Sequence, residues 1–316
     1  MASRPRDFES RSSTSSDTWA IMDLSIINKY LIVKGFVLRY NKKELIDIFS
    51  FFTKIAVFSM AKIIAIVNQK GGVGKTTTTV NLGAYLAEAG KSVLLLDLDP
   101  QANATSGLGI EYQKLEDGIY EALLGQKSLS SVIKKTSQER YHIVPATIAL
   151  AGAGIEMVSL ENREFRLALL LEEIRADYDY IIIDSPPSLG LLTVNSLVAA
   201  DAVLIPIQSE YYALEGLGQL LETINLVKDN LKPNLEIMGA VVTMFDRRNK
   251  LSGAVLEELN KFFPGKIFKS VIPRSVKLAE APSYGRSILH YDPKSRGARA
   301  YEELAQEVIA LESKAL

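Results

Sequence analysis

The 316-residue chain contains no cysteine. Disulfides and thiolate metal sites are therefore excluded, which is compatible with a reducing compartment. Histidine is nearly absent as well. His142 and His290 stand far apart in sequence and do not suggest a histidine metal cluster. An excess of one charge is also lacking: 36 Lys plus Arg face 37 Asp plus Glu, for a formal net charge of −1. Bulk charge thus predicts no affinity for nucleic acid. A bilayer span needs roughly 20 mostly apolar residues. The most apolar region near the N-terminus, 45–67, is interrupted by Asp47, Lys54 and Lys62. What is present is 47% hydrophobic and 23% charged, a composition able to bury a large core.

The most informative stretch is Asn68-Gln69-Lys70-Gly71-Gly72-Val73-Gly74-Lys75-Thr76-Thr77. It follows an apolar run, Ile63 to Val67, that reads as a buried strand, and leads into a helical pattern from Thr78 to Ala89 that Gly90 ends. A glycine-rich loop between a strand and a helix N-terminus turns backbone N–H groups inward, and the helix dipole favours negative charge there. Such a loop holds the phosphates of a nucleotide. Lys75 is placed to reach the β- and γ-phosphates, and the Thr76 hydroxyl to ligate Mg²⁺. The loop departs from the common form, because Gln69 stands where a glycine is usual and an extra cation, Lys70, follows it. Lys70 is open to two readings: a surface lysine extending into water, or one that reaches a nucleotide held by a second subunit.

Two further strand ends carry acids. Leu94-Leu95-Leu96-Asp97-Leu98-Asp99-Pro100 closes a second apolar strand. In extended chain Asp97 and Asp99 share a side, at the edge where ligands bind in such sheets. A carboxylate there can hold a water on Mg²⁺ or orient the water that attacks the γ-phosphate; an Asp-Pro turn is the plainer alternative. Tyr180-Ile181-Ile182-Ile183-Asp184-Ser185-Pro186-Pro187 has the Walker B pattern, which would set Asp184 beside the metal through a water; a strand followed by a proline turn is the plainer alternative.

From Met60 onward apolar strands alternate with helical patterns. Candidate strands are Ile63–Val67, Val93–Asp97, Tyr141–Pro145, Tyr180–Asp184, Ala202–Pro206, Ile237–Thr243 and Ile267–Ile272. Most are near-continuous Ile, Val and Leu, the signature of strands buried on both faces. The fold class expected is α/β, a mainly parallel twisted sheet flanked by helices, in one domain over 60–316. Residues 1–59 read as an N-terminal extension. Met1 to Asp17 is rich in Ser and Arg without periodicity and is expected to be disordered. Ile26 to Phe58 is apolar but irregular. A targeting segment, an added arm and a stretch upstream of a natural start at Met60 all compete. Acids at 7, 9 and 17 weigh against targeting, and Met60 is the expected functional start.

Together these motifs resemble the ParA/Soj family of deviant-Walker ATPases, within the larger MinD-like group of P-loop NTPases. The resemblance runs across nearly all of 60–315 and includes the segments 101–109, 209–217 and 271–283. It implies cofactors ATP and Mg²⁺ and a homodimer formed with ATP. In that dimer Lys70 crosses to the partner's nucleotide and Gly71 lies where the subunits come close. Gly72, Val73, Gly74, Lys75, Thr76 and Thr77 hold phosphates and metal, and Asp99 positions the hydrolytic water. Asp97 and Asp184 lie around the metal, and Pro273 and Ser275 border the adenine, although Asn is frequent in the family at the latter position. Arg248 and Lys277 align with residues that touch DNA, with Arg247 and Arg274 nearby.

The function implied is partitioning of a chromosome or plasmid: the ATP dimer binds DNA non-specifically, and hydrolysis stimulated by a ParB/Spo0J-type partner releases it. The protein would be cytoplasmic and nucleoid-associated. Between residues 228 and 299 stand 14 Lys plus Arg against 7 Asp plus Glu, a possible basic face. Two other functions compete. A MinD-like membrane-cycling ATPase needs a basic amphipathic C-terminal helix, whereas the polar face of 300–316 carries Glu302, Glu303, Glu307 and Glu312. No stable membrane association is therefore expected. A nucleotide-dependent scaffold with little turnover is the third reading. Electron transfer, as in the related nitrogenase iron protein, needs cluster cysteines that this chain lacks.

Overall fold

The computed structural model describes residues 25–27, 30–33, 36–39, 60–210, 216–246, 248 and 258–313. The chain divides into two units, Met1–Phe58 and Ser59–Leu316. In the first, three short strands, β1 (Ser25–Ile27), β2 (Tyr30–Val33) and β3 (Phe36–Arg39), pair antiparallel in the order β1-β2-β3. These strands were not anticipated, and the expected disorder of Met1 to Asp17 falls outside the described residues.

The second unit is built on one eight-stranded sheet. Its strands are β4 (Lys62–Ile66), β5 (Val93–Asp97), β6 (Lys134–Lys135), β7 (Tyr141–Val144), β8 (Tyr180–Asp184), β9 (Ala202–Gln208), β10 (Glu236–Phe245) and β11 (Ile267–Pro273). The order is β11-β10-β9-β4-β8-β5-β7-β6. Every pairing is parallel except that of β6 with β7. The seven apolar runs expected as strands all form strands of this sheet. The two-residue edge strand β6 was not expected, because it carries only Lys134 and Lys135 and no apolar signal.

Alternation along the strands explains the two-sided core. Ile63 and Ala65 of β4 pack on one face with Ile181, Ile183, Val203 and Ile205; Ile64 and Ile66 pack on the other with Leu95, Ile182, Leu204 and Val241. The principal helices are α1 (Lys75–Glu88), α2 (Asn103–Gly107), α3 (Leu191–Ala199), α4 (Leu217–Asn230), α5 (Val276–Glu280) and α6 (Arg296–Ser313). Helices α3 and α4 cover the first face through Leu197, Leu220 and Ile224. Helices α1 and α6 cover the second through Leu82, Leu86, Tyr301, Leu304 and Val308. The apolar stripe of α6 is thus committed to the core. Glu307, on its polar side, accepts the backbone amides of Lys269 (2.9 Å) and Ser270 (2.7 Å) from edge strand β11.

Helix α1 sits close against β7. Tyr141 is fully buried, and its hydroxyl donates to the carbonyl of Val80 at 3.0 Å. A Cβ on Gly83 would overlap that ring. Gly83→Ala is expected to lift α1, and the loop at its N-terminus, off the sheet. It should lower the stability read from urea unfolding by about 1–3 kcal/mol; an unchanged midpoint would refute this packing constraint.

Candidate functional site

The phosphate loop joins β4 to α1 at the C-terminal edge of the sheet, where the chain leaves β4 for α1 and ligands bind in open α/β folds. Gly72 and Gly74 adopt left-handed backbone, with φ of 74° and 88°, which only glycine reaches without steric cost. The loop is tied down on both sides. Asn68 Nδ2 donates to the Pro206 carbonyl (2.7 Å), and its Oδ1 accepts the Lys70 amide (3.0 Å). Thr243 Oγ1, from β10, donates to the Val73 carbonyl (2.7 Å). The N-terminus of α1 has no side-chain cap, so its first-turn amides are free of internal side-chain partners. That is the arrangement that receives phosphate oxygens.

Lys75, the first residue of α1, is buried, and its ammonium donates to the Lys70 carbonyl at 3.2 Å. Burial lowers its pKa, and the charges of Asp184 and Asp99 act in the opposite direction. Asp184 is fully buried. Its Oδ2 accepts from Thr76 Oγ1 (2.8 Å) and its Oδ1 from Thr79 Oγ1 (3.0 Å). Asp97 is its register partner on β5. Burial pushes both carboxyl pKa values up; the charge of Asp97 adds to the rise at Asp184, and that of Asp99 to the rise at Asp97. Thr76 and Asp184 are hard oxygen donors in contact, beside a loop shaped for phosphate. Mg²⁺ is commonly held by one or two side chains, with waters and phosphate oxygens completing its shell, and these residues fit that role. Among the described residues no group of three His, Asp or Glu side chains could hold a metal alone.

Asp97 faces inward. Its Oδ2 accepts the amide (2.8 Å) and hydroxyl (2.7 Å) of Thr105, and its Oδ1 accepts the Asp99 amide (3.1 Å). Both oxygens are thereby engaged with the chain itself, in a geometry that fixes the Asp97–Asp99 turn and α2. Asp99 is buried, with Oδ1 accepting the Gln101 amide at 3.0 Å. The Thr77 carbonyl accepts Asn81 Nδ2 at 2.7 Å.

Lys70 lies at the mouth of the loop. Its side chain is 38% exposed, and its ammonium stands 4.0 Å from Glu210. Glu210 also accepts from Arg274 Nη2 at 3.3 Å. Pro273 ends β11 opposite Phe245 of β10, and Ser275 precedes α5 in extended conformation. Arg248 and Lys277 follow the ends of these same two strands, so the topology brings both to one corner of the catalytic edge. Arg248 is paired with Asp246 at 2.7 Å and Lys277 with Glu280 at 3.1 Å. Lys277 also stands 5.5 Å from the centre of the Tyr291 ring. Arg247 lies outside the described residues.

Sequence reading missed four residues that shape the site: Thr79, Thr105, Glu210 and Thr243. Thr79 could have been found, since it lies one helical turn beyond Thr76 and shares its face. The other three act through contacts across the fold.

A buried acid with a raised pKa costs stability as it ionises: the loss starts above the unfolded value of about 4 and is complete above the folded value. In metal-free protein, Asp184→Asn removes that cost. The variant should therefore exceed the parent in thermal stability at pH 8, by at least ~1.4 kcal/mol, the worth of one pKa unit. The gap should close towards pH 4. Equal stability at pH 8 would show that Asp184 ionises in the fold at no cost.

A family model described as "AAA domain" matches residues 61–237. The sporulation initiation inhibitor protein Soj of Bacillus subtilis is 57% identical over 251 residues, covering 79% of this chain and 99% of that protein. The chromosome partitioning protein ParA of Myxococcus xanthus is 51% identical, covering 79% and 89%. A crystal structure of cobyrinic acid a,c-diamide synthase from Mycobacterium smegmatis, with an ATP analogue and magnesium bound, superimposes with a TM-score of 0.72 at 38% identity, covering 81% of this chain and 97% of that one. With the loop, the two acidic strand ends and the sheet order all in place, the chain belongs to the ParA/Soj family of chromosome-partitioning ATPases.

Proposed function

We propose that this ATPase acts as a switch in chromosome or plasmid partitioning, in which ATP joins two copies and the joined form holds DNA. The observation that carries the reading is the contrast between two lysines. Lys75 is buried and tied to the Lys70 carbonyl, so it serves its own nucleotide. The Lys70 ammonium stands at the mouth with only a long contact to Glu210, free to reach a triphosphate in a second copy.

Gly71 to Thr77 would receive the phosphates, and Pro273 and Ser275 would border the adenine. Magnesium, held from Thr76 and Asp184, would offset the charge of the β- and γ-phosphates. Asp97, bound by Thr105, positions the turn that carries Asp99. Asp99 orients the attacking water. Turnover by the protein alone is slow, and a ParB/Spo0J-type partner stimulates it.

DNA binding of this kind is phosphate neutralisation, with no base readout. Arg248 and Lys277 lie at one corner of each copy, and joining two copies doubles the contacts. Their exposed pairing with Asp246 and Glu280 is weak enough to exchange for phosphate. The protein would then be cytoplasmic and associated with the nucleoid. No described helix is long and apolar enough to cross a membrane. The C-terminal helix buries its apolar stripe in the core, which supports partitioning over membrane cycling.

The test is DNA binding with ATP, ADP and no nucleotide, with solution mass measured on the same samples. Tight, salt-sensitive binding should coincide with a dimer and occur only with ATP; equal binding in all three states would reject the switch. Arg248→Glu should weaken DNA affinity by about tenfold at low salt, one or two phosphate contacts' worth, and leave the ATP dimer intact. Asp99→Ala should accumulate the DNA-bound dimer, and rapid hydrolysis by that variant would remove Asp99 from its role.

A further inference from the structure

One helical segment is apolar on two opposite sides. It runs from the turn at 148–149 through the helix Leu150–Glu156 to the 3-10 turn Met157–Ser159. Leu150, Ala153 and Met157 are fully buried in the core. Facing away from them, Ile148, Ile155 and Val158 are 66%, 81% and 55% exposed, and Ala151 is exposed between them. Helices apolar all round are normally covered on all sides. The spacing 148, 151, 155, 158 is that of a helix-pairing seam, alternating steps of three and four.

Two properties of this stripe name its occupant. The stripe maps onto itself when read backwards. Set antiparallel, Ile148 of one copy lies opposite Val158 of the other, and Ala151 opposite Ile155. A two-fold contact demands such reciprocity: if one position meets another, the reverse pair must fit too. The stripe is also free of charge. The one acid flanking it within the helix, Glu156, is engaged by the Tyr120 hydroxyl at 2.9 Å. In a two-fold contact every charge near the axis faces its own copy, so a neutral face suits self-pairing.

The stripe also lies on the right edge of the molecule. It starts four residues after β7 ends, at the C-terminal edge of the sheet. The Ala146 amide just before it donates to Thr105 Oγ1 at 3.0 Å, and that same hydroxyl donates to Asp97. We propose that this stripe pairs antiparallel with the same stripe of a second copy in the ATP-bound dimer. The proposal rests on the ATP-joined dimer described above and gives it a contact away from the nucleotide. Size explains why the stripe does not suffice alone. Its four exposed side chains per copy fall far short of the about 20–30 residues a side of a stable interface. The contact therefore forms only when the nucleotide face adds the rest.

The chain has no cysteine, so an introduced thiol is the sole one. Ala151→Cys and Ile155→Cys proteins, mixed with MgATP and oxidised, should give more disulfide-linked dimer than either alone, and none with ADP. Ile155→Lys, at a site exposed enough to spare the fold, should keep the parent's melting temperature and monomer ATP affinity while weakening ATP-dependent dimerisation at least tenfold. Val158→Lys should do the same. The proposal is overturned if parent protein dimerises with MgATP while the mixed cross-link stays at background and both lysine variants dimerise like the parent. It is equally overturned if those variants dimerise normally and lose only stimulation by a partner protein, since the stripe is then a docking site for another chain. A parent protein that stays monomeric with MgATP removes the ATP-dimer reading itself, and this contact with it.

Discussion

The buried ammonium of Lys75, bound to the Lys70 carbonyl and faced by Asp184, is the interaction on which the site depends. It closes the loop on itself and fixes the backbone that presents Lys70. It also sets a cation among acids whose burial disfavours their charge. Asp184 and Asp97 are register partners at the ends of adjacent strands, and burial raises the carboxyl pKa of each. Thr76 and Thr79 hold Asp184 in place, and Thr105 holds Asp97. The site is therefore polarised for a ligand that brings both phosphate and a divalent cation.

The sheet makes this arrangement possible because it is buried on both faces. Helices α1 and α6 on one side and α3 and α4 on the other cover its faces, and the site lies at the C-terminal strand ends. Loop, acids, the proposed adenine border and the Arg248–Lys277 corner all emerge from that edge, from β4, β5, β8, β10 and β11. The seam at 148–159 emerges there too, after β7. A second copy that closes over this edge would meet nucleotide and apolar stripe together, which links nucleotide state to association without any distant relay.

Much of this was legible in the sequence. Runs such as Ile63–Val67 and Tyr180–Asp184 read as strands covered on both sides, and the glycines and lysines of 70–75 read as a phosphate loop because a strand precedes them and a helix follows. What escaped shares a physical cause. Strand β6 has two lysines and no apolar pattern, because an edge strand of two residues needs none. Thr105 and Thr243 have ordinary surroundings in sequence and gain meaning from partners that only the fold supplies. Glu210 sat in plain view within the 209–217 segment, but its pairing with Lys70 and Arg274 joins loops that follow three different strands. The stripe at Ile148, Ile155 and Val158 was hidden by its own helix: with apolar residues on both faces, its pattern reads as core.

The central claim is that Lys70 serves a nucleotide other than its own. Lys70 contributes to its own loop through backbone atoms, its amide to Asn68 Oδ1 and its carbonyl to Lys75, so truncating the side chain leaves that loop intact. Solution mass and ATP binding of Lys70→Ala with MgATP test the claim most directly. The account predicts a monomer that binds ATP with an affinity close to that of the parent monomer. A Lys70→Ala protein that forms the dimer as readily as the parent would contradict it.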